Sequence, residues 1–263
     1  MVFEQIRTAI IEQHPQTKVS LVEQLHRLLQ NEQATLISSD DIDPLAIPGR
    51  PKKPKLVHPS QVAKRKLTTE LGRVALIHSI CHIEFNAINL ALDAAYRFQD
   101  MPRAYYLDWM RVALEESQHF TMLNDRLLSL GHQYGDFDAH NGLWEMALKT
   151  QHSTIERMAL VPRVLEARGL DVTPGMMQRL KNVGDDETVR ILEIILREEV
   201  GHVEIGTRWF RYSCEAANVD PDQTFIGLLQ KYNVSTGKGT LHIDARQRAG
   251  FNEVELAALG VNN

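Results

Sequence analysis

Residues 115–119 read Glu-Glu-Ser-Gln-His, and residues 198–202 read Glu-Glu-Val-Gly-His. Both stretches lie in segments whose apolar residues recur at steps of three and four, a pattern that predicts α-helices. Within each stretch the second Glu and the His are three residues apart, so both side chains leave one helical face and can reach one ion. A single Glu-x-x-His motif is weak evidence for a metal site, because chance alone can produce one in a chain of this length. A second copy in the same frame favours a pair of metal-binding helices.

A partner glutamate precedes each of these motifs at nearly the same distance. Glu84 lies 32 residues before Glu116, and Glu166 lies 33 residues before Glu199. In an antiparallel pair of helices, two residues this far apart each lie about 16 residues from the turn, roughly 24 Å along their helices. They therefore meet at the same level. Glu84 also interrupts an apolar face, where a lone buried charge costs several kcal/mol unless something pairs with it.

Six side chains are thus expected to converge on one layer of a four-helix bundle. The candidate metal ligands are Glu84, Glu116, His119, Glu166, Glu199 and His202. One Glu from each of two helices, with Glu-x-x-His from each of the other two, is typical of ferritin-like dinuclear iron or manganese sites. Four carboxylates balance two divalent ions, and Glu116 and Glu199 are the candidates for bridging them. The pattern predicts two Fe ions, with Mn as the other candidate metal; a metal-free bundle whose carboxylates pair with arginines is the alternative.

The ligand on the third helix of the bundle is the least determined of the six. Glu156 is also available, but it lies 43 residues before Glu199 and breaks the symmetry of the spacing. Glu166 keeps that spacing and lies next to an expected helix break at residues 169–174, where Thr173 caps a restart. The spacing favours Glu166 and leaves Glu156 as the alternative.

The whole pattern predicts an all-α protein, a ferritin-like four-helix bundle with additions at both ends. Residues 1–66 hold N-terminal helices and a proline-rich basic strap, residues 67–217 form the bundle, and residues 218–263 form short C-terminal helices that pack on it. The bundle helices are expected at roughly 68–99, at 103–130, from about 142, and from the capping cluster at 184–187 to about 214. Smaller signals predict a break at His14-Pro15, a helix after Asp220-Pro221 and a capping box at Asn252–Glu255.

The composition indicates a sizeable core and excludes several classes of protein. The 263 residues are 43% hydrophobic and 24% charged, which excludes disorder and collagen-like repeats. No stretch approaches the roughly 18 uncharged apolar residues of a membrane helix, and Glu4 lies where a signal peptide would be basic. No membrane partner and a cytoplasmic location are therefore predicted. Cys81 and Cys214 lie in apolar segments and are expected to be reduced, and no nucleotide-binding, acyl-transfer or zinc-protease motif occurs.

A strap of unusual composition precedes the first bundle helix. Five of the ten prolines fall in residues 38–60, too dense for a helix or a central strand. No acid occurs between Asp43 and Glu70, whereas this interval holds seven cations: Arg50, Lys52, Lys53, Lys55, Lys64, Arg65 and Lys66. A solvated strap across an acidic body is the simpler interpretation, and a docking surface for an anionic substrate or RNA is the other.

Four stretches of the sequence also resemble a known family. They are Pro48-Gly49-Arg50-Pro51, His82-Ile83-Glu84, Leu165-Glu166-Ala167-Arg168-Gly169-Leu170-Asp171 and Glu198-Glu199-Val200-Gly201-His202. From about residue 40 to 250 the chain is similar to a bacterial ferritin-like family of unknown function that carries an N-terminal extension. That resemblance implies a four-helix ferritin-like bundle and supports Glu166 over Glu156. A more distant resemblance is to the ferritin-like di-iron tRNA hydroxylases, from which this chain departs in its N-terminal region and strap, so their substrate is not carried over.

Three hypotheses of different classes follow for the function. The first is a non-haem di-iron monooxygenase or oxidase that takes electrons from a reductase and acts on a small organic substrate or a modified tRNA. The second is a ferroxidase, peroxidase or manganese-catalase-like protein without an organic substrate. The third is a metal-free helical interaction module, which predicts that metal leaves the melting temperature unchanged. The segments outside the bundle argue against assembly of the chain into a ferritin-like storage shell. They favour a protein in which these segments cover an active site.

Overall fold

The computed structural model of the chain describes residues 1–31, 34–38, 42–63, 65–234 and 241–260. Over these residues the protein is all-α, as the sequence predicts, and its β-pairing is limited to one isolated bridge between Leu56 and Ala139. The chain divides into two compact units, Met1–Leu148 and Lys149–Asn263. Their boundary lies inside the residues 67–217 assigned to the bundle, and the three-part division drawn from the sequence stays a prediction.

The first unit is built around a long helical hairpin. Its helices are α1 (Val2–Ile11), α2 (Pro15–Gln30), α3 (Glu70–Arg97), α4 (Arg103–Ser129) and α5 (Gly142–Lys149). α3 and α4 are antiparallel, because the Tyr105 hydroxyl donates to the Ala94 carbonyl near their turn and the Cys81 thiol donates to the Phe120 carbonyl further along. Both helices end within two residues of the positions that the sequence predicts. α1 packs on α3, and α2 packs on α4.

By length and composition alone, α3 is long and apolar enough to cross a membrane. Its most apolar window has a mean hydropathy of 1.3, but 78% of that window is buried inside the protein. Burial of this kind is typical of the central helix of a hydrophobic core, whose apolar surface is covered by its neighbours.

Cys81 of this helix and Cys214 are both free and buried, in agreement with the prediction.

A buried lysine joins the first three helices. Lys18 of α2 is completely buried, and its Nζ donates at 2.7 and 2.9 Å to the carbonyls of Ala9 and Ile10, at the end of α1. A third bond of 2.7 Å goes to Asn89 Oδ1 on α3. These three acceptors match the three N–H groups of an ammonium ion. Burial acts against them and lowers the pKa of Lys18 from 10.5 to about 7.

The contribution of Lys18 to stability is therefore expected to depend on pH. Between the folded pKa of about 7 and the ordinary value of 10.5, the unfolded chain binds more protons at this site, so stability increases with pH. Urea unfolding should show the wild type gaining stability relative to Lys18→Met from pH 7 upward, by at most about 1.4 kcal/mol per pH unit. A constant difference between the two proteins would mean that the three acceptors keep the ammonium ion charged throughout.

The second unit contains a hairpin interrupted by a π-helix. Its elements are α6 (Thr154–Leu160), the π-helix Val161–Glu166, α7 (Ala167–Asn182), α8 (Asp186–Ala216), α9 (Pro221–Lys231), α10 (Ile243–Arg248) and α11 (Glu253–Ala258). The short turn after Asn182 makes α7 and α8 antiparallel neighbours. The helix predicted after Asp220 is confirmed as α9, and the capping box between Asn252 and Glu255 is present.

The predicted break at residues 169–174 is wrong. α7 runs without interruption through Pro174, and Thr173 is buried inside it instead of capping a new helix. A proline within a helix removes one backbone hydrogen bond, and α7 stays helical despite the loss of that bond. The irregular backbone comes earlier, in the π-helix Val161–Glu166 and before α6, where Ser153 is the N-cap. The third predicted bundle helix is therefore divided into shorter segments.

Candidate metal centre

Three of the six predicted ligands meet inside the first unit. Glu84 lies on α3, and Glu116 and His119 lie three residues apart on α4. His119 Nδ1 is 3.1 Å from Glu84 Oε2 and 3.5 Å from Glu116 Oε2. All three side chains are buried, and one ligand atom from each lies within 4.8 Å of the other two. Together they form a group that could hold a metal ion.

The charges in this group favour a bound cation. Glu84 and Glu116 are only 3% and 1% exposed, and buried carboxylates need a compensating positive charge. Burial by itself lowers the pKa of His119, but hydrogen bonding to Glu116 and Glu84 outweighs burial and raises this pKa to about 11. A proton on His119 thus supplies part of the compensating charge. A divalent ion at the same atoms replaces that proton and adds a further positive charge, so the donor set fits a divalent metal ion.

The second unit holds an equivalent Glu and His on α8. His202 Nδ1 lies 3.7 Å from Glu199 Oε1; the histidine is completely buried, and the glutamate side chain is 13% exposed. In each unit the histidine therefore turns Nδ1 toward the carboxylate three residues before it. The repeat in the sequence is also a repeat of local geometry.

Glu166 is positioned by the π-helix that it ends. In this segment Pro162 faces Gly206 of α8, at the close approach of the two elements. Glu166 follows Pro162 by four residues, and His202 precedes Gly206 by four residues. In an antiparallel pair this register places Glu166 and His202 at about the same level. π-helical turns occur frequently at functional sites.

The alternative ligand, Glu156, is engaged elsewhere in the second unit. Its carboxylate accepts from Lys231 Nζ at 2.8 Å and from the Tyr232 hydroxyl, and lies 3.3 Å from His152 Nε2. Burial raises the pKa of Glu156, but the bonds from Lys231 and Tyr232 outweigh it and lower this pKa below its ordinary value. These contacts favour Glu166 as the ligand of the third helix, and that assignment stays a prediction.

Residues 11–257 match the sequence profile of a family described as "Protein of unknown function (DUF455)". The chain belongs to the DUF455 family. An uncharacterized protein of Haemophilus influenzae is 47% identical over 265 residues, which cover 97% of this chain and 92% of that protein. No solved structure matches the chain. The predicted resemblance to a family of unknown function is thus confirmed, while the ferritin-like fold remains a prediction for this DUF455 member.

An arginine that the sequence analysis overlooked anchors the π-helix of this DUF455 protein. Arg163 is completely buried; its Nη2 donates to Glu255 Oε1 at 2.6 Å, and its Nε donates to Thr207 Oγ1 at 3.1 Å. Three phenylalanine rings surround the guanidinium group at 4.4 to 4.7 Å from their centroids: Phe210, Phe225 and Phe251. The only signal in the sequence was a charge within an apolar helical segment, three residues before Glu166.

The close approach at Gly206 should make this position intolerant of a side chain. A Cβ atom there would lie 2.5 Å from Pro162 Cβ and Cγ, whereas a Cβ at Gly169 of α7 would meet nothing within 4 Å. Urea unfolding should show Gly206→Ala to be about 1–3 kcal/mol less stable than the wild type. The matched Gly169→Ala variant should be unchanged or stabilised by up to about 1 kcal/mol, because alanine favours the helix. Equal stability of the two variants would contradict the tight contact that positions Glu166.

Proposed function

We propose that this protein is a cytoplasmic non-haem dinuclear iron carboxylate enzyme, a monooxygenase or oxidase built on a ferritin-like four-helix bundle. The observation that carries the proposal is the buried cluster of Glu84, Glu116 and His119 within one helical hairpin. Two carboxylates in an apolar hairpin lower its stability unless a cation compensates them. Clusters of ionisable groups with perturbed pKa values are typical of functional sites.

The other three ligands of the proposed centre are the remaining residues of the repeated sequence pattern. They are assigned as Glu166, Glu199 and His202 on two grounds. The spacing of 32 residues from Glu84 to Glu116 is nearly equal to that of 33 residues between the corresponding glutamates of the second unit. Both motifs also turn histidine Nδ1 toward the preceding carboxylate. Two ions would then share six protein ligands, as in dinuclear carboxylate proteins.

A pair of iron ions, when bound, supplies redox chemistry with dioxygen. The residues of the chain provide the conditions for it. Glu84 and Glu116 place negative charge in a buried setting, which favours a divalent cation over a neutral ligand. His119 releases its proton when a cation takes its place. The complete burial of His119 and His202 keeps bulk water away from the donor atoms. A small organic substrate or a modified tRNA, and a reductase that donates electrons, complete the proposal.

Metal content and oxygen uptake provide the test. Anaerobic addition of ferrous iron to the metal-free protein should give about two iron ions per chain. Admission of oxygen should then oxidise the bound iron, as followed by Mössbauer spectroscopy and an oxygen electrode. Turnover of hydrogen peroxide, or oxidation of iron far beyond the bound amount, would favour the catalase or ferroxidase alternative. Binding of less than one metal ion by correctly folded protein would contradict the proposal.

A matched pair of variants tests the contribution of Glu199 separately. Glu199→Gln should lose at least one of the two ions. Glu198→Gln changes the adjacent residue, whose side chain is 27% exposed and pairs with Arg197 at 3.0 Å, and should keep both ions. Full metal content in Glu199→Gln would exclude Glu199 as a ligand and would leave the cluster of Glu84, Glu116 and His119 unaffected.

A further inference from the structure

The proline-rich strap presents cations that the proposed metal centre does not use. Five of them are exposed: Lys52, Lys53, Lys55, Arg65 and Lys66. Lys64 lies outside the described residues. The cations that pair with acids in the first unit lie elsewhere, such as Arg7 with Asp43 at 2.6 Å and Arg97 with Asp93 at 2.6 Å. This strap therefore differs from the rest of the unit in charge and in exposure.

The strap is held in place by its backbone. The Val57 N–H donates to the Ala139 carbonyl at 2.8 Å, and the Ala139 N–H donates to the Lys55 carbonyl at 3.0 Å. The Arg50 guanidinium donates to the carbonyls of Pro51 and Pro54 at 3.1 and 3.0 Å. Main-chain groups thus fix the course of the strap and leave the lysine side chains outside. A charged segment whose backbone is already fixed loses less conformational entropy when a partner binds.

The exposed cations of the strap have no acidic partner within the part of the chain that the structure describes. Lys52, Lys53, Lys55 and Lys66 form no salt bridge there, although the formal net charge of the protein is -5 and acids are abundant. Residues 135–139 also carry two exposed acids, Asp136, whose carboxylate accepts from the Gln133 N–H at 3.0 Å, and Asp138, so the five exposed cations outnumber them. Positive charge that no acid of the described residues neutralises is available to an anionic partner.

An aromatic ring lies beside these cations. The Arg65 guanidinium lies 5.0 Å from the centroid of the Phe137 ring, which is only partly buried. A Cβ placed at Gly135 would lie 2.9 Å from Lys53 Cβ, and Lys55 pairs with Ala139. Along residues 135–139, Gly135 therefore lies beside Lys53, Phe137 beside Arg65, and Ala139 beside Lys55.

We infer that the described part of the strap, residues 50–63 and 65–66, together with residues 135–139, binds single-stranded nucleic acid. Grooves that bind single strands combine cations, which contact the phosphates, with aromatic faces on which bases stack. A membrane surface is the less suitable partner, because membrane-binding segments use an amphipathic helix with an apolar face, and the described strap contains only the short 3₁₀ turn Pro59–Gln61. This surface contains none of the proposed metal ligands, so its binding of a single strand does not depend on the metal centre.

Fluorescence anisotropy with a labelled oligouridylate RNA, at low salt and with the full-length chain, tests the inference. The wild type should bind, and its affinity should fall steeply as salt rises. Lys52→Glu with Lys55→Glu should weaken binding by at least about tenfold, since each change removes one phosphate contact and adds repulsion. Arg179→Glu with Lys181→Glu is the matched control, because both residues are exposed on α7 and the change in net charge is the same. This control should change affinity by less than about twofold.

The ring is tested by Phe137→Leu, which keeps an apolar contact with His78, whose ring centroid lies 5.3 Å away. This variant should lose at least about fivefold in affinity for the single strand through lost stacking. Absence of binding by the wild type at low salt would overturn the inference, and so would equal losses in the strap and control double variants. Stronger binding to phosphatidylserine vesicles than to RNA would assign the surface to membranes and overturn it as well.

Discussion

Saturating ferrous iron under anaerobic conditions is expected to raise the melting temperature of the wild-type protein by about 10 °C. A ligand that binds only the folded state stabilises it by about 4 kcal/mol when present at a thousand times its dissociation constant. For a chain of this size, each kcal/mol shifts the melting temperature by about 2–4 °C. The Glu84, Glu116 and His119 cluster is the physical basis, since the ion offsets two buried carboxylate charges.

Glu116→Gln should abolish most of this shift. The amide keeps the shape of the side chain but removes the charge and the stronger donor, so the remaining atoms bind a divalent ion weakly. Differential scanning calorimetry with and without iron measures the effect. Glu115→Gln is the matched control: the side chain of Glu115 is 25% exposed and lies near Arg111, so its iron-dependent shift should equal that of the wild type. No shift in the wild type would support the metal-free interaction module, whereas an unchanged shift in Glu116→Gln would assign the iron-dependent stabilisation to atoms outside this cluster.

Arg163→Met is expected to lower the free energy of unfolding by about 3–5 kcal/mol. Removing one member of a buried ion pair leaves the other charge without compensation, and Glu255 is as completely buried as Arg163. Arg211, at 3.8 Å from Glu255 Oε2, replaces only part of the lost interaction because the ion pair is long and its side chain is 45% exposed. The three phenylalanine rings around the guanidinium group also lose their cation contacts.

Urea unfolding of two further variants separates charge from packing in this result. Arg163→Met with Glu255→Gln should recover much of the lost stability, because no buried charge remains and the amide can still accept from the Asn252 N–H as Glu255 does. Arg190→Met removes an exposed arginine that pairs with Glu187, and it should change stability by less than about 1 kcal/mol. A loss of less than 1 kcal/mol in Arg163→Met would show that the ion pair does not stabilise the π-helix.

The helices and half of the candidate site could be predicted because they depend on local pattern. Residues three and four apart share a helical face whatever surrounds them, so the apolar periodicity located α3 and α4 to within two residues. The same rule paired Glu116 with His119. The spacing across a short turn predicted that Glu84 meets them, and the structure brings Glu84 Oε2 within 3.1 Å of His119 Nδ1.

The π-helix and its supports could not be predicted in this way. Pro162 meets Gly206 and Arg163 meets Glu255 only after distant segments have packed together, and no local pattern records those contacts. Pro174 misled the prediction for the same reason. Local propensity disfavours a proline within a helix, but packing of α7 against α8 outweighs the loss of one hydrogen bond.

The sequence by itself determined the helical class, the two Glu-x-x-His motifs with their upstream glutamates, and the excess of positive charge in the strap. These are properties of residue type and spacing along a single chain. Only the tertiary structure decided that Glu156 is engaged by Lys231 and Tyr232, that the backbone widens into a π-helix before Glu166, and that the strap is pinned along residues 135–139. Each of these depends on contacts between segments far apart in the chain, whose energies exceed the local preferences of the residues involved.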